Sequence, residues 1–166
     1  MSALSFDTRY FRTALGRFAT GVTVVTAETP DGVPVGLTVS SFNSVSLDPP
    51  LVLWSLSRNS ASLAVFDACD RYVVNVLSAS QADIAMRFAR GTSAERFDGL
   101  GTGRAPDGTL TLDDNCAAWF ECRNRSQYVE GDHIIMVGEV LHCGHRDIPP
   151  LVFHAGSFDL TPANPA

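Results

Sequence analysis

The chain has 166 residues, 45% apolar and 18% charged, with a net charge of −6. This length and composition fit one globular domain over 1–166 with a sizeable core, and exclude a disordered chain. The acidic balance argues against nucleic acid or an anionic membrane as the main partner, since both attract basic surfaces.

No apolar run approaches the ~18 residues that span a bilayer. The opening MSALSFDTRYFRTALGR lacks the basic-then-apolar layout and the cleavage pattern of a signal peptide. Cys69, Cys116, Cys122 and Cys143 show no disulfide-like framework, so a cytoplasmic location is expected.

The first predicted element is a helix over 7–20, capped by Asp7 or Thr8, with Phe11, Leu15 and Phe18 as its apolar stripe. TGVTVVTAE and VGLTVSSF flank the turn signal TPDGVP, which predicts a β-hairpin over 21–41. A strand over 51–57 follows Asp48-Pro49-Pro50, whose prolines belong at its margin. SASLAVFDA reads as a short helix, RYVVNVL as a strand, and SQADIAMRFAR as a helix capped by Ser80. The glycine-rich stretch 91–115 reads as a long loop. Strands over 117–129 and 133–143 join through EGD, and PLVFHA is the last. The expected class is mainly β with peripheral helices, an antiparallel closed or partly closed barrel. Helix–strand alternation over 58–90 leaves a mixed α/β sheet as the alternative.

Five hydroxyls crowd the stretch TVSSFNSVSLDPP between two apolar segments: Thr38, Ser40, Ser41, Ser44 and Ser46. Burying one without a partner costs roughly 1–3 kcal/mol. They bond nearby backbone, or they meet a polar ligand. In SLSRNSAS (55–62), Ser57, Arg58, Asn59 and Ser60 sit where a strand gives way to a helix. Free amides and a guanidinium there suit a phosphate, although Asn59 or Ser60 acting as a plain helix cap reads the same way. His133, after Gly131-Asp132, either orients a planar substrate or ends a turn in which Asp132 bonds backbone.

Other motifs carry less. HCGH (142–145) lacks the four spaced ligands of a zinc site, so no metal is expected. GLGTG (99–103) lacks the dinucleotide-binding spacing, and neither a nucleophile elbow nor a P-loop is present. Cys69 has no activating base in its sequence neighbourhood.

Together, FRTALGRFATGVTVVTA, GLTVSSFNSVSLDPPLVLWSLSRNSAS, RYVVNVLSASQADIAMRFA, GDHIIMVGEV and PLVFHAGSF, in this order over about 8–160, resemble the flavin reductase family. These are the small reductase components of two-component flavin-dependent monooxygenases. The resemblance implies a split β-barrel, a homodimer with flavin near the subunit interface, and electron transfer from NADH or NADPH to FMN or FAD. It places Thr38, Ser40 and Ser41 at the flavin ring and ribityl chain and Ser57, Arg58, Asn59 and Ser60 at the phosphate, with Val39 and Ser55 in the same two segments. It brings Thr20 and Gly21 to the ring, Arg87 and Phe88 near the cofactor, Phe153 beside the ring system, and His133 of Gly131-Asp132-His133 to the nicotinamide as the catalytic position. Where the family often carries a hydroxyl-bearing aromatic, this chain has Phe153, followed by His154.

Hydride transfer between two cofactors needs neither nucleophile nor metal, because the cofactors carry the chemistry. The protein must align their reacting atoms and offer donors to the charge that develops. Small hydroxyls and amides suit that task. A flavin-binding module without reductase activity and a pyridoxamine-phosphate oxidase-like flavoenzyme are the alternatives.

Overall fold

A computed structural model describes residues 5–112 and 115–159. Asp113 and Asp114, in the expected long loop, lie outside the described residues. The chain begins with α1 (Thr8–Leu15), whose cap Asp7 accepts the Tyr10 amide at 2.7 Å. The helix stops at Leu15, short of the expected Thr20, and β1 (Thr20–Gly21) starts there instead. Its apolar stripe does not enter the core: Phe11, Leu15 and Phe18 remain 48%, 56% and 75% exposed. An apolar periodicity shows that a helix has an apolar side, not what covers it.

The expected hairpin forms from β2 (Thr23–Glu28) and β3 (Pro34–Val39), in register from Thr23 opposite Val39 to Glu28 opposite Pro34. The hydroxyl-rich connection then contains a strand that sequence reasoning missed, β4 (Asn43–Leu47), antiparallel to β5 (Pro50–Ser57). Next come α2 (Leu63–Ala68) and β6 (Arg71–Val76). A 3₁₀ turn over Ala79–Gln81 leads into α3 (Ala82–Arg90). Its capping box joins Ser78 to Gln81, so the expected cap at Ser80 lies two residues too late.

The stretch read as loop holds α4 (Ser93–Phe97) and the hairpin of β7 (Thr102–Arg104) and β8 (Leu110–Leu112). The long strands β9 (Ala118–Glu130) and β10 (His133–His145) turn on Gly131, and β11 (Val152–His154) and β12 (Ser157–Asp159) complete the order.

Seven strands form one sheet in the order β3-β2-β6-β9-β10-β5-β4, and β1, β11 and β12 form a second. The named strands pair antiparallel throughout, which replaces the mixed α/β alternative with the mainly β class. The large sheet runs from edge β3 to edge β4.

Strand alternation decides what faces the core. On β5, Val52, Trp54 and Leu56 point inward, and Ser55 and Ser57 lie on the opposite face, partly exposed. Trp54 packs edge-on against Phe66 and Tyr72, at 5.2 and 5.6 Å between ring centroids. A second cluster gathers Val22, Val24, Leu77, Phe88 and Leu151. Buried Asn75 ties the β7–β8 hairpin to the sheet: its Nδ2 donates to the Val24 carbonyl at 2.9 Å, and its Oδ1 accepts the Leu112 amide at 3.0 Å.

Candidate functional site

The site is built from chain ends that leave the core. Beyond β3 the chain reverses through Ser40 and Ser41, and Ser41 Oγ accepts the Ser55 amide at 2.9 Å. Its hydroxyl thus extends the β4–β5 pairing one step past Asn43 opposite Leu53. Thr38 Oγ1 donates to the Ala85 carbonyl of α3 at 2.6 Å. Two of the five crowded hydroxyls therefore serve backbone groups distant in sequence, while Ser40 is exposed and has no side-chain partner among the described residues.

At the end of β5, Ser57 stands directly opposite His133 at the head of β10. The Arg58 amide donates to the Asp132 carbonyl at 3.0 Å, and Arg58 Nη1 donates to the Gly131 carbonyl at 3.3 Å. The fold thus brings SRNS and GDH together at one corner. The rest of the exposed Arg58 fork forms no ion pair among the described residues.

Within the turn, Ser57 Oγ accepts the Asn59 amide and Ser60 Oγ accepts the Ser62 amide. The helix starts only at Leu63, with Ser62 rather than Asn59 or Ser60 in the cap position. His133 Nδ1 lies 2.7 Å from Asp132 Oδ1. The hydrogen bond from His133, reinforced by its charge, holds the Asp132 carboxyl below the usual range.

Beside this corner is a concavity of about 510 Å³, lined by Thr38, Ser57, Ser60, Phe88, Thr92 and Arg96, among others. Phe88 lies close over Gly36, where an added Cβ would stand 2.8 Å from the ring, so glycine there lets the ring seat against the strand. Arg96 was hidden in the segment read as loop. It donates to the carbonyls of Gly91 at 2.9 Å and Gly36 at 2.7 Å, and partial burial lowers its pKa. The signal that could have found it was Thr92-x-x-Glu95, the capping box that starts α4.

Other expected site residues lie elsewhere. Thr20 and Gly21 pair with Phe153 and Val152 on the small sheet and do not line the concavity. Thr20 Oγ1 is buried with no hydrogen-bond partner among the described residues. Arg87 directs its guanidinium to the Glu95 and Asp98 carbonyls, where it braces α4. Val39 is buried and can offer a ligand only its backbone.

At the other end of β10, His142 gathers with Asp107 and Glu121, their ligand atoms within 4.8 Å of one another. The Glu121 carboxylate already accepts the Asp107 and Thr109 amides, and Asp107 pairs with Arg71 at 3.5 Å.

A shallow hollow with several hydroxyls and a guanidinium, backed by the fully buried Phe88, suits a hydroxylated, phosphate-bearing molecule. On the small sheet, outside this hollow, the buried Thr20 hydroxyl is a further polar atom without a partner among the described residues.

Comparison with known proteins points the same way. The chain is 48% identical over 152 residues to the FMN reductase (NADH) SmoA of Agrobacterium fabrum, covering 92% of this chain and 85% of that one. It is 43% identical to the stachydrine N-demethylase reductase subunit Stc3 of Rhizobium meliloti, a longer protein of which it spans 60% and which covers 84% of this chain. Among solved structures, it aligns at a TM-score of 0.87 and 32% identity with the Streptomyces globisporus NADH:FAD oxidoreductase SgcE6 in complex with NAD and FAD fragments. That alignment covers 97% of this chain and 98% of the other. The split-barrel fold expected from the sequence is thus the fold observed. With the flavin reductase like domain matching residues 15–161, this chain belongs to the flavin reductase family.

Proposed function

We propose that the protein is an NAD(P)H:flavin oxidoreductase that moves hydride from a nicotinamide cofactor to FMN or FAD and passes reduced flavin to a separate flavin-dependent monooxygenase. The observation that carries this reading is the pairing of His133 with Ser57 beside the concavity, which unites the three segments TVSSF, SRNS and GDH. Relatives named as an NADH-dependent FMN reductase and as reductase components of monooxygenases support it.

Bound flavin and nicotinamide supply the redox chemistry. The protein's part is binding and orientation. The hydroxyls around Thr38 hold the ring end, with buried Phe88 supporting the strand behind them, and the Ser57–Ser60 turn with Arg58 holds the phosphate end. His133, steadied by Asp132, orients the donor at the mouth.

A second copy of the chain completes the assembly. The apolar stripe of α1, together with Val45 and Leu47 on edge strand β4, is exposed and needs cover. Light scattering should give the mass of a dimer. Four free cysteines suit a reducing, cytoplasmic setting.

The test of activity is anaerobic mixing of the protein with NADH or NADPH and FMN or FAD. Nicotinamide oxidation well above the protein-free rate is expected. Flavin binding with no oxidation of either donor would remove the reductase reading.

A further inference from the structure

Beside its apolar stripe, the helix α1 has a second, polar face. Thr8, Arg9, Arg12, Thr13 and Gly16 line a hollow of about 590 Å³ with Arg17 and the Ala155–Gly156 turn. The first five follow one another at spacings of one and three, hence one face of one helix and its cap. All twelve cationic side chains of this acidic chain are arginines, and three of them meet here with no carboxylate in the lining. None of the three forms an ion pair among the described residues, whereas Arg71, Arg104, Arg123 and Arg125 all do.

The hollow is anchored to the fold. The Gly16 carbonyl accepts the Ala155 amide at 2.9 Å, fixing the end of α1 against the β11–β12 turn. Arg12 also lies near enough to Asp132 for its charge to add to that of His133 on the carboxyl. The Ala155–Gly156 turn that closes the hollow follows directly on β11, whose Phe153 pairs with Thr20, so the arginine face lies at the end of the small sheet that the resemblance brings to the flavin ring.

We propose that Arg9, Arg12 and Arg17 form the seat for the diphosphate of the dinucleotide donor, which directs its dihydronicotinamide end toward His133. The proposal rests on the reductase reading. Guanidinium forks match phosphate oxygens in pairs and keep their charge at any physiological pH. A dinucleotide donor carries its diphosphate one ribose away from the reacting ring, so a seat at the end of the small sheet, with Arg12 close enough for its charge to act on Asp132, suits it.

The experiment compares wild type with the Arg9→Gln/Arg12→Gln and Arg17→Gln variants. NADH and the phosphate-free dihydronicotinamide riboside serve as donors, and FMN and FAD as acceptors. KM for NADH should rise about ten- to hundredfold, exceeding any change with the riboside by at least tenfold. Calorimetric binding of ADP-ribose to flavin-free protein should weaken by a similar factor, and it reads the hollow even if no donor is oxidised. Equal losses with NADH and the riboside would overturn the proposal. So would a loss confined to FAD, which would assign the arginines to that flavin's diphosphate. A wild-type protein inert with every donor would remove the reductase reading, leaving the ADP-ribose arm to decide on the seat.

Discussion

His133 and Ser57 stand directly opposite each other on β10 and β5, and the next backbone contact, Arg58 amide to Asp132 carbonyl, closes the same corner at 3.0 Å. Arg58 and Gly131, 73 residues apart in sequence, are joined by a side-chain hydrogen bond there. The turn proposed to bind phosphate and the histidine proposed to orient the donor therefore share one ladder, so their separate contributions can be measured by substitution.

Arg58→Ala should weaken FMN binding about ten- to hundredfold, since hydrogen bonds to charged groups are worth roughly 1.5–3 kcal/mol. Riboflavin, which has no phosphate, should lose far less. Fluorescence titration with both flavins is the check; equal losses would place Arg58 away from the phosphate.

His133→Ala should slow hydride transfer or raise KM for the nicotinamide by about tenfold, the worth of one hydrogen bond of about 1.4 kcal/mol. Flavin affinity should stay within about twofold. Anaerobic stopped-flow traces separate the two effects. A fall in flavin affinity alone would mean that the histidine serves the other cofactor.

Gly138→Ala should destabilise the fold by roughly 1–3 kcal/mol, the cost of overpacking a core. The added methyl would overlap the Tyr72 hydroxyl and stand 2.9 Å from Cys122 Cβ. Neither neighbour is free to retreat, because both are fully buried. Thermal melting should show a drop of several degrees, and an unchanged melting temperature would contradict the packing around Tyr72.

Alkaline pH should loosen the core. Burial pushes the Cys69 thiol up to about 11 and the Cys122 thiol up to about 12, and raises the Tyr72 phenol in the same direction. Because these folded-state values lie above the unfolded ones, the stability they contribute is complete below about pH 9 and is lost as pH rises toward 11 and 12. Melting temperature should be flat near neutrality and fall above pH 9. At pH 8 a thiol reagent should label exposed Cys143 well before Cys122. Faster labelling of Cys122 would mean that the core opens there.

Local patterns carried much of this protein. Alternation in LVLWSLS already sorts Val52, Trp54 and Leu56 from Ser55 and Ser57, because side chains on a strand point to opposite faces in turn. Turn chemistry at TPDGVP and EGD marks the β2–β3 and β9–β10 hairpins, and Asp7 marks the start of the first helix. Short elements were less legible: β4, with only five residues, lay inside a polar connection, and α4 was masked by surrounding glycines, although Thr92 and Glu95 announce it.

What lay beyond the sequence was contact between segments distant along the chain. No local pattern says that Thr38 will donate to Ala85, that Ser41 will bridge to Ser55, or that Arg96 will reach back to Gly36. The same limit applies to the exposed stripe of α1, whose apolar spacing predicts a helix but not the surface that covers it. Hydrogen-bond geometry and side-chain periodicity act over a few residues and can be read in one dimension. Which hydroxyl meets which carbonyl depends on how sheets and helices stack, and that is settled by packing the whole chain at once.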